Sequence, residues 1–325
     1  MKIIRAGVLT TVQDYGRVGL QHLGVQSGGA MDQIAYRVGN ALVGNESGAA
    51  SLECTLDGPT IDFAEDAVIA LTGADCEAML GEIEIPDLRP VWLRAGVQLR
   101  IGAMRRGART YLAVRGGIDV PICLGSRSTD LRNRLGGLQG RALKRGDLLA
   151  IGLQPQGTPG WPITGECCWA PWSVRDPLGP SQFPARVHFV PGRHWEQFSG
   201  DSRRQFVAQP YRVSAQSDRM GYRLQGPRVQ LETAGDRLSE PVAWGSIQVP
   251  PDGQPIVLLA DRQTMGGYPC IGEVSAVDLA LFAQMKPGDE ILFDAISHSQ
   301  SEQMLLTREQ ELARLLASAR ARWGR

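Results

Sequence analysis

The chain is expected to be a mainly β protein of two domains that ends in a charged helix. Three observations point there. Short apolar runs alternate with glycine and proline along most of the 325 residues, one turn-and-strand phrase occurs twice, and a stretch dense in Pro, Gly and Trp separates the two occurrences.

The strand candidates come first. AVIALTGA (67–74), VWLRAGVQLRIG (91–102), ARTYLAVRGG (108–117) and RVHFVPG (186–192) are too short for a typical helix and rich in Val, Ile, Leu or aromatics. The run PIVLL, ending at Leu259, reads as a further buried strand. Helical periodicity is persuasive over 30–43, 277–284 and 301–323, where leucines 305, 306, 312, 315 and 316 form one apolar stripe. ALKRGDLLAIG (142–152) and QMKPGDEILFD (284–294) both place a Lys before a Gly-Asp turn and then enter an apolar strand. Either a duplication or a common turn type accounts for the pair. The domain junction is expected inside QPQGTPGWPITGECCWAPW (154–172). This gives an N-terminal domain over 1–155, a linker over 156–180, a C-terminal domain over 181–300 and a helix over 301–325.

Composition excludes several classes. The 34 basic residues balance 34 acidic ones, so no net field draws the chain to nucleic acid or to an anionic membrane. The opening MKIIRAGVLTTVQDYG reaches Gln13 and Asp14 before a signal-like apolar stretch can form, and no apolar run is long enough to span a bilayer. A cytoplasmic location is expected. The six cysteines (54, 76, 123, 167, 168 and 270) form no C-x-x-C pair and have no histidine at zinc spacing, so reduced, mostly buried thiols are expected. With histidines only at 22, 188, 194 and 298, no metal is assigned. Phosphate-loop, G-x-S-x-G and His-Glu-x-x-His motifs are absent.

What remains are dense polar stretches beside glycine. In QSGGAMDQIAYR, Asp32 opens a helix and is expected to cap it, with Ser27 just upstream. GSRSTDLRNRLGGLQGR (125–141) carries arginines 127, 132, 134 and 141, which either hold an anion or are solvated. LADRQTMGGYP (259–269) presents Asp261, Arg262, Gln263 and Thr264 in succession before Gly266-Gly267, a double glycine that frees the backbone to turn. Gln248 stands on a strand between Ile247 and Val249, so its carboxamide faces either solvent or a pocket. The tetrapeptide Ala283-Gln284-Met285-Lys286 is faintly similar to a biotin acceptor, but Pro-Gly-Asp follows and a second Met is missing, so no covalent biotin is expected.

The phrases RAGVLTTVQDYGR, GAMD, ALVGN, LTGAD, YLAVRGGIDVP, LGSRSTDL, SDRMGYRL, GSIQVPPDGQPIVLLADRQTMGGYP and KPGDEILF, spread from residue 1 to about 300, resemble the family of the 5-oxoprolinase C component. That family is also called allophanate hydrolase subunit 2 or biotin-dependent carboxyltransferase. The resemblance implies two tandem cyclophilin-like β-barrels with a few short helices. It further implies a complex with homologues of the enzyme's B component, itself cyclophilin-like, and of its A component, which together use ATP to open the lactam of 5-oxoproline to L-glutamate. On that reading Arg219, Arg223, Arg262 and the backbone around Gly266 and Gly267 cradle a phosphate or carboxylate. Asp261 or Asp218 orients them or serves as base. Gln248, Gln263, Thr264 and Tyr268 complete the pocket, with Ser27 and Asp32 close to it or to the partner interface. Two other activities under the same family name stay open: a carboxyltransferase component of a biotin-dependent urea or amide carboxylase, and a regulator that binds a partner resembling the B component.

Overall fold

The computed structural model describes residues 1–154, 160–179, 184–232 and 238–323. The protein is mainly β, with a closed seven-stranded barrel, few helices and a long C-terminal helix. Its chain divides into two compact units. The first comprises Met1–Arg17, Gly28–Gly179 and Glu311–Arg325, the second Val18–Ser27 and Pro180–Gln310. Of the expected linker over 156–180, residues 156–159 and 180 lie outside the described residues. Residues 160–179 belong to the first unit, where Cys167–Trp169 pairs antiparallel with Val91–Leu93.

The first unit is a nine-stranded sheet organised by two long strands, Ala67–Leu80 and Gln98–Val114. They pair antiparallel from Ile69↔Val114 to Leu80↔Leu99, with register breaks between Gly73 and Ala78. The sequence suggests shorter runs here because glycines and charges interrupt the apolar pattern. The structure carries the strands through those interruptions as β-bulges, which bend a strand without ending it. Ile3, Leu52, Ile69, Leu99 and Leu112 lie in the resulting core. The helix Gln33–Leu42 packs on the two long strands. Gly39 is needed there, since a Cβ would stand 2.9 Å from Thr72 Oγ1. Closeness of helix and sheet offsets the conformational cost of a mid-helix glycine.

The second unit closes its barrel in the order Ala185–Pro191, Cys270–Val274, Ser246–Gln248, Ile256–Leu258, Gly221–Gln225, Tyr211–Val213 and Glu290–Ala295. The last strand returns parallel to the first, with Ala185 opposite Ile291. Aromatic rings fill one end of the core: Phe206 stacks on Phe293 at 4.5 Å between centroids, and Phe189 and Tyr211 pack around them. Phe206 comes from a helix, Gly200–Ala208, that the sequence does not announce. Only Ser202 and Phe206 of its nine residues are buried, too few to set up a visible period, and the Ser199 hydroxyl caps it by accepting from the Ser202 N–H.

The final helix spans His298–Arg320, three residues displaced from the expected start. Its stripe is also narrower than expected: Leu312 and Leu316 are buried but Leu306 is 58% exposed. In the first unit Trp323 donates its indole N–H to the Leu42 carbonyl at 2.8 Å, and the Arg115 guanidinium lies 4.0 Å over its ring. Among the described residues, no helix is long and apolar enough to cross a membrane.

Phe206→Ala is expected to destabilise the second unit by about 3–5 kcal/mol, the usual cost of deleting a buried phenyl ring. Urea unfolding followed by tryptophan fluorescence measures it.

Candidate functional site

The expected strand before LADRQTMGGYP is Ile256–Leu258, and it pairs with Gly221–Gln225 so that Leu258 faces Gly221. Backbone pairing continues past both strand ends. Leu259 N–H donates to the Met220 carbonyl and Asp261 N–H to the Arg219 carbonyl, each at 2.9 Å. This brings the two side chains into register. Arg219 Nε and Nη2 then donate to the two oxygens of Asp261 at 2.8 and 2.9 Å, a bidentate fork in which both residues are buried.

Arg262 behaves differently. The sequence invites a solvent-facing arginine or one paired with Asp261, yet it is only 7% exposed and Asp261 is engaged by Arg219. Its chain turns back on itself, so Nη1 donates to the Leu259 carbonyl at 3.3 Å and to Ser27 Oγ at 3.2 Å. Nε has no partner, and among the described residues no carboxylate accepts from this guanidinium. Burial lowers its pKa to about 10, so it stays charged at neutral pH. A buried, uncompensated cation of this kind is a ready anion site.

The other expected residues fall into three groups. Ser27–Arg262 and Arg219–Asp261 are two hydrogen-bonded pairs in the second unit, joined by the Asp261-Arg262 peptide and followed by half-buried Gln263 and Thr264. Gln248, Gly266 and Tyr268 form a second: Gln248 Nε2 donates to the Tyr268 carbonyl at 3.3 Å, and Tyr268 itself is 47% exposed. The double glycine is not a left-handed turn, since neither Gly266 nor Gly267 has positive φ. Met265–Gly266 is instead a short strand paired with Glu240–Pro241. Gly266 lies close to Gln248, where a Cβ would meet the end of that side chain, Nε2, at 2.3 Å and make it shift, whereas Gly267 has room for one.

Three residues stand apart. Exposed Asp218 accepts from the N–H groups of Met220 and Gly221 at 2.8 and 3.3 Å and closes that turn. Arg223 points outward from its strand. Asp32 belongs to the first unit, where it caps its helix as expected by accepting from Ala35 N–H at 2.9 Å.

Sequence reasoning misses His194 and Glu240. His194 Nδ1 accepts from the Cys270 N–H at 3.0 Å and so anchors the far end of the loop, while Glu240 pairs with Arg193 at 2.8 Å opposite Gly266. Neither carries a motif. Their only signal is position at a strand end. In the 125–141 stretch, Arg127 donates to the Val120 carbonyl and Arg141 forks onto Asp147, so both are engaged structurally, and Arg132 and Arg134 are exposed. An open groove of about 1120 Å³ in the first unit is bordered by Glu46, Asp119, Arg127 and Arg320, and includes none of the residues expected around LADRQTMGGYP. Among the described residues, no group of three or more His, Cys, Asp or Glu is arranged to hold a metal.

The site is thus a buried guanidinium without an acid partner among the described residues, set beside a braced arginine–aspartate fork at the end of a β-barrel. The chain belongs to the carboxyltransferase domain family, subdomains A and B, which matches residues 23–295. It is 41% identical over 293 residues to the C component of 5-oxoprolinase from Escherichia coli (strain K12), covering 90% of each chain. Identity to the same component from Haemophilus influenzae is 38% over 287 residues, or 88% of each. It is also 33% identical to the urea amidolyase of Saccharomyces cerevisiae, covering 94% of this chain but 17% of that one. Among solved structures it resembles the K. lactis urea amidolyase with a TM-score of 0.87 and 29% identity, over 97% of this chain and 20% of the other. It resembles TTHA0988 with a TM-score of 0.76 and 37% identity, over 90% of this chain and 55% of that one.

Opposite stability outcomes are expected for the two arginines. Arg219→Met strands the buried Asp261 carboxylate and should cost about 3–5 kcal/mol. Arg262→Met removes a buried charge that lacks an acid partner and should leave the melting temperature unchanged or raise it, while abolishing any stabilisation by added phosphate. Differential scanning calorimetry with and without phosphate reads both.

Proposed function

We propose that this chain is the C component of an ATP-dependent 5-oxoprolinase complex, which works in the cytoplasm with homologues of the A and B components to open the 5-oxoproline lactam to L-glutamate. Arg262 carries the reading: a buried cation, unpaired by any acid among the described residues, at the end of a rigid strand. Kinship to the two 5-oxoprolinase C components, over 88–90% of their length, supports the choice of reaction.

Lactam opening needs activation because the amide is resonance-stabilised. Phosphoryl transfer from ATP to the carbonyl oxygen releases ADP and leaves a carbon that water attacks. Cleavage of the C–N bond and loss of phosphate then give glutamate. Arg262, with Ser27 holding one end of its guanidinium, is suited to the charge that develops on the oxygen and its phosphate. Both oxygens of Asp261 are occupied by Arg219, so Asp261 positions the turn rather than taking a proton. Asp218, which is exposed, holds the neighbouring turn through Oδ1, which accepts from the Met220 and Gly221 N–H groups. Gln248 keeps the Gly266–Tyr268 backbone in place, and Arg223, outward on its strand, is available to a partner. In this reading ATP belongs to the complex and no biotin is attached to Lys286.

The likeness to urea amidolyase over 97% of the chain favours one second reading, a carboxyltransferase component acting on urea or a related amide. Co-purification with the A and B homologues, followed by an assay of ATP-dependent glutamate release from 5-oxoproline, separates the two. Release is expected only from the assembled complex. Arg262→Met should lower its turnover on the order of 100-fold with the complex intact. No release, together with transfer of a carboxyl group from carboxybiotin to urea, would replace the first reading by the second.

A further inference from the structure

His188 and Asp278, both in the second unit, form a dyad that no step above uses. The strand Ala185–Pro191 turns Val187 and Phe189 into the barrel core, and Arg186 and His188 outward. Its antiparallel ladder to Cys270–Val274 ends where Phe189 faces Val274. One residue further, the Ser275 N–H donates to the His188 carbonyl at 2.8 Å, but the His188 N–H turns to Asp278 Oδ2 at 2.7 Å. The same carboxylate oxygen lies 2.7 Å from His188 Nδ1. One acid thus fixes both the backbone and the ring of this histidine.

Two features separate the dyad from an ordinary surface pair. Asp278 stands at the N-cap of the helix Leu279–Gln284, where an aspartate usually accepts from the first N–H groups, yet it makes no such bond. It serves His188 instead. An ionised carboxylate can only accept, so Nδ1 carries the ring proton and Nε2 keeps its lone pair. Nε2 has no partner among the described residues and is open to solvent: the histidine side chain is 28% exposed, against 10% for Asp278. The other histidines differ. His194 spends Nδ1 as an acceptor for the Cys270 N–H, His298 is exposed with Nδ1 3.6 Å from Glu302, and His22 is exposed in a short helical turn.

We propose that His188 is a phosphoryl-acceptor histidine, modified at Nε2 by an activated donor such as an acyl phosphate or a phosphoramidate. Nε2 attacks phosphorus, an Nε2–P bond forms, and the donor's bond to its leaving group breaks; from phosphoramidate the leaving group is ammonia. The proton on Nδ1 stays where it is. The ring gains a positive charge as the bond forms, and Asp278 offsets that charge from 2.7 Å away. On the same outer face Asp294 stands opposite His188, but Arg186 pairs with it at 3.8 Å, so it does not confront the incoming phosphoryl group as a lone negative charge. Arg186 is itself exposed and can donate to phosphoryl oxygens, a contact that a plain acyl group would not draw on. Transfer to an open lone pair on the outside of a barrel also requires no enclosed pocket.

The test uses the full chain alone, independent of Arg262 and of the reaction proposed above, with phosphoramidate as the probe. Phosphate is mapped by mass spectrometry on digests kept away from acid, and the exposed His22 and His298 serve as standards within the same molecule. His188 should be modified at least ~10-fold faster than either, since its ring is held with the nucleophilic nitrogen bare and its developing charge is offset. Asp278→Asn keeps an oxygen that accepts from both His188 N–H groups but cannot offset the ring charge, so it should bring the rate down to that of His298. Equal rates at His188 and His298 in the native chain overturn the proposal. So does an Asp278→Asn chain in which His188 keeps its advantage, the outcome if the acid merely tethers the strand. Should Asp278→Asn fail to fold, the comparison of histidines within the native chain decides the matter.

Discussion

The barrel end of the second unit is organised by the buried fork between Arg219 and Asp261. Taking both charges out of water is costly, and the geometry answers that cost in full: two parallel N–H···O bonds, with the backbones beneath them already paired through Asp261 N–H and Leu259 N–H. This arrangement leaves little freedom to the residue that follows. Arg262 begins where Asp261 is fixed, and its N–H returns to the Leu259 carbonyl at 3.2 Å, so its side chain folds inward onto Ser27. A pair formed for rigidity therefore determines where an unpaired cation sits.

The two units meet the same electrostatic problem with different chemistry. In the second, an arginine without an acid partner is left with hydroxyl and carbonyl contacts, a setting that favours an incoming anion. In the first, Arg17 is held by the carbonyls of Cys123 and Ser128, and no carboxylate among the described residues pairs with it.

Much of this is legible in the sequence because it is local. The strand before Leu259, the cap at Asp32 and the turn at Lys286 each depend on a few adjacent residues, and each has its signature in composition. Partner choice is not local. Nothing in DRQ says that the aspartate will bind an arginine 42 residues earlier instead of its own neighbour, or that the second arginine will be buried. Gly266 misleads for a related reason, since a glycine in a flexible turn and one in a short strand packed against Gln248 look identical in a sequence. The long strands look divided in the sequence because bulged residues break the alternation that marks a strand, although the hydrogen-bond ladder continues beyond them. His194 and Glu240 escape for want of any pattern at all.

Neither unit is a continuous piece of chain, and this bears on the order in which the protein can be made. The second unit borrows Val18–Ser27, so those residues must wait for segments more than 150 positions downstream. The first unit cannot be completed until Glu311–Arg325 has emerged from the ribosome, because Trp323 seals it against Leu42 and Arg115. The nine strands of the first sheet are all made by Trp169, whereas the barrel of the second unit stays open until Glu290–Ala295 is synthesised. The chain also resists dissection: a fragment beginning near residue 180 lacks Ser27, and with it the hydroxyl that steadies Arg262.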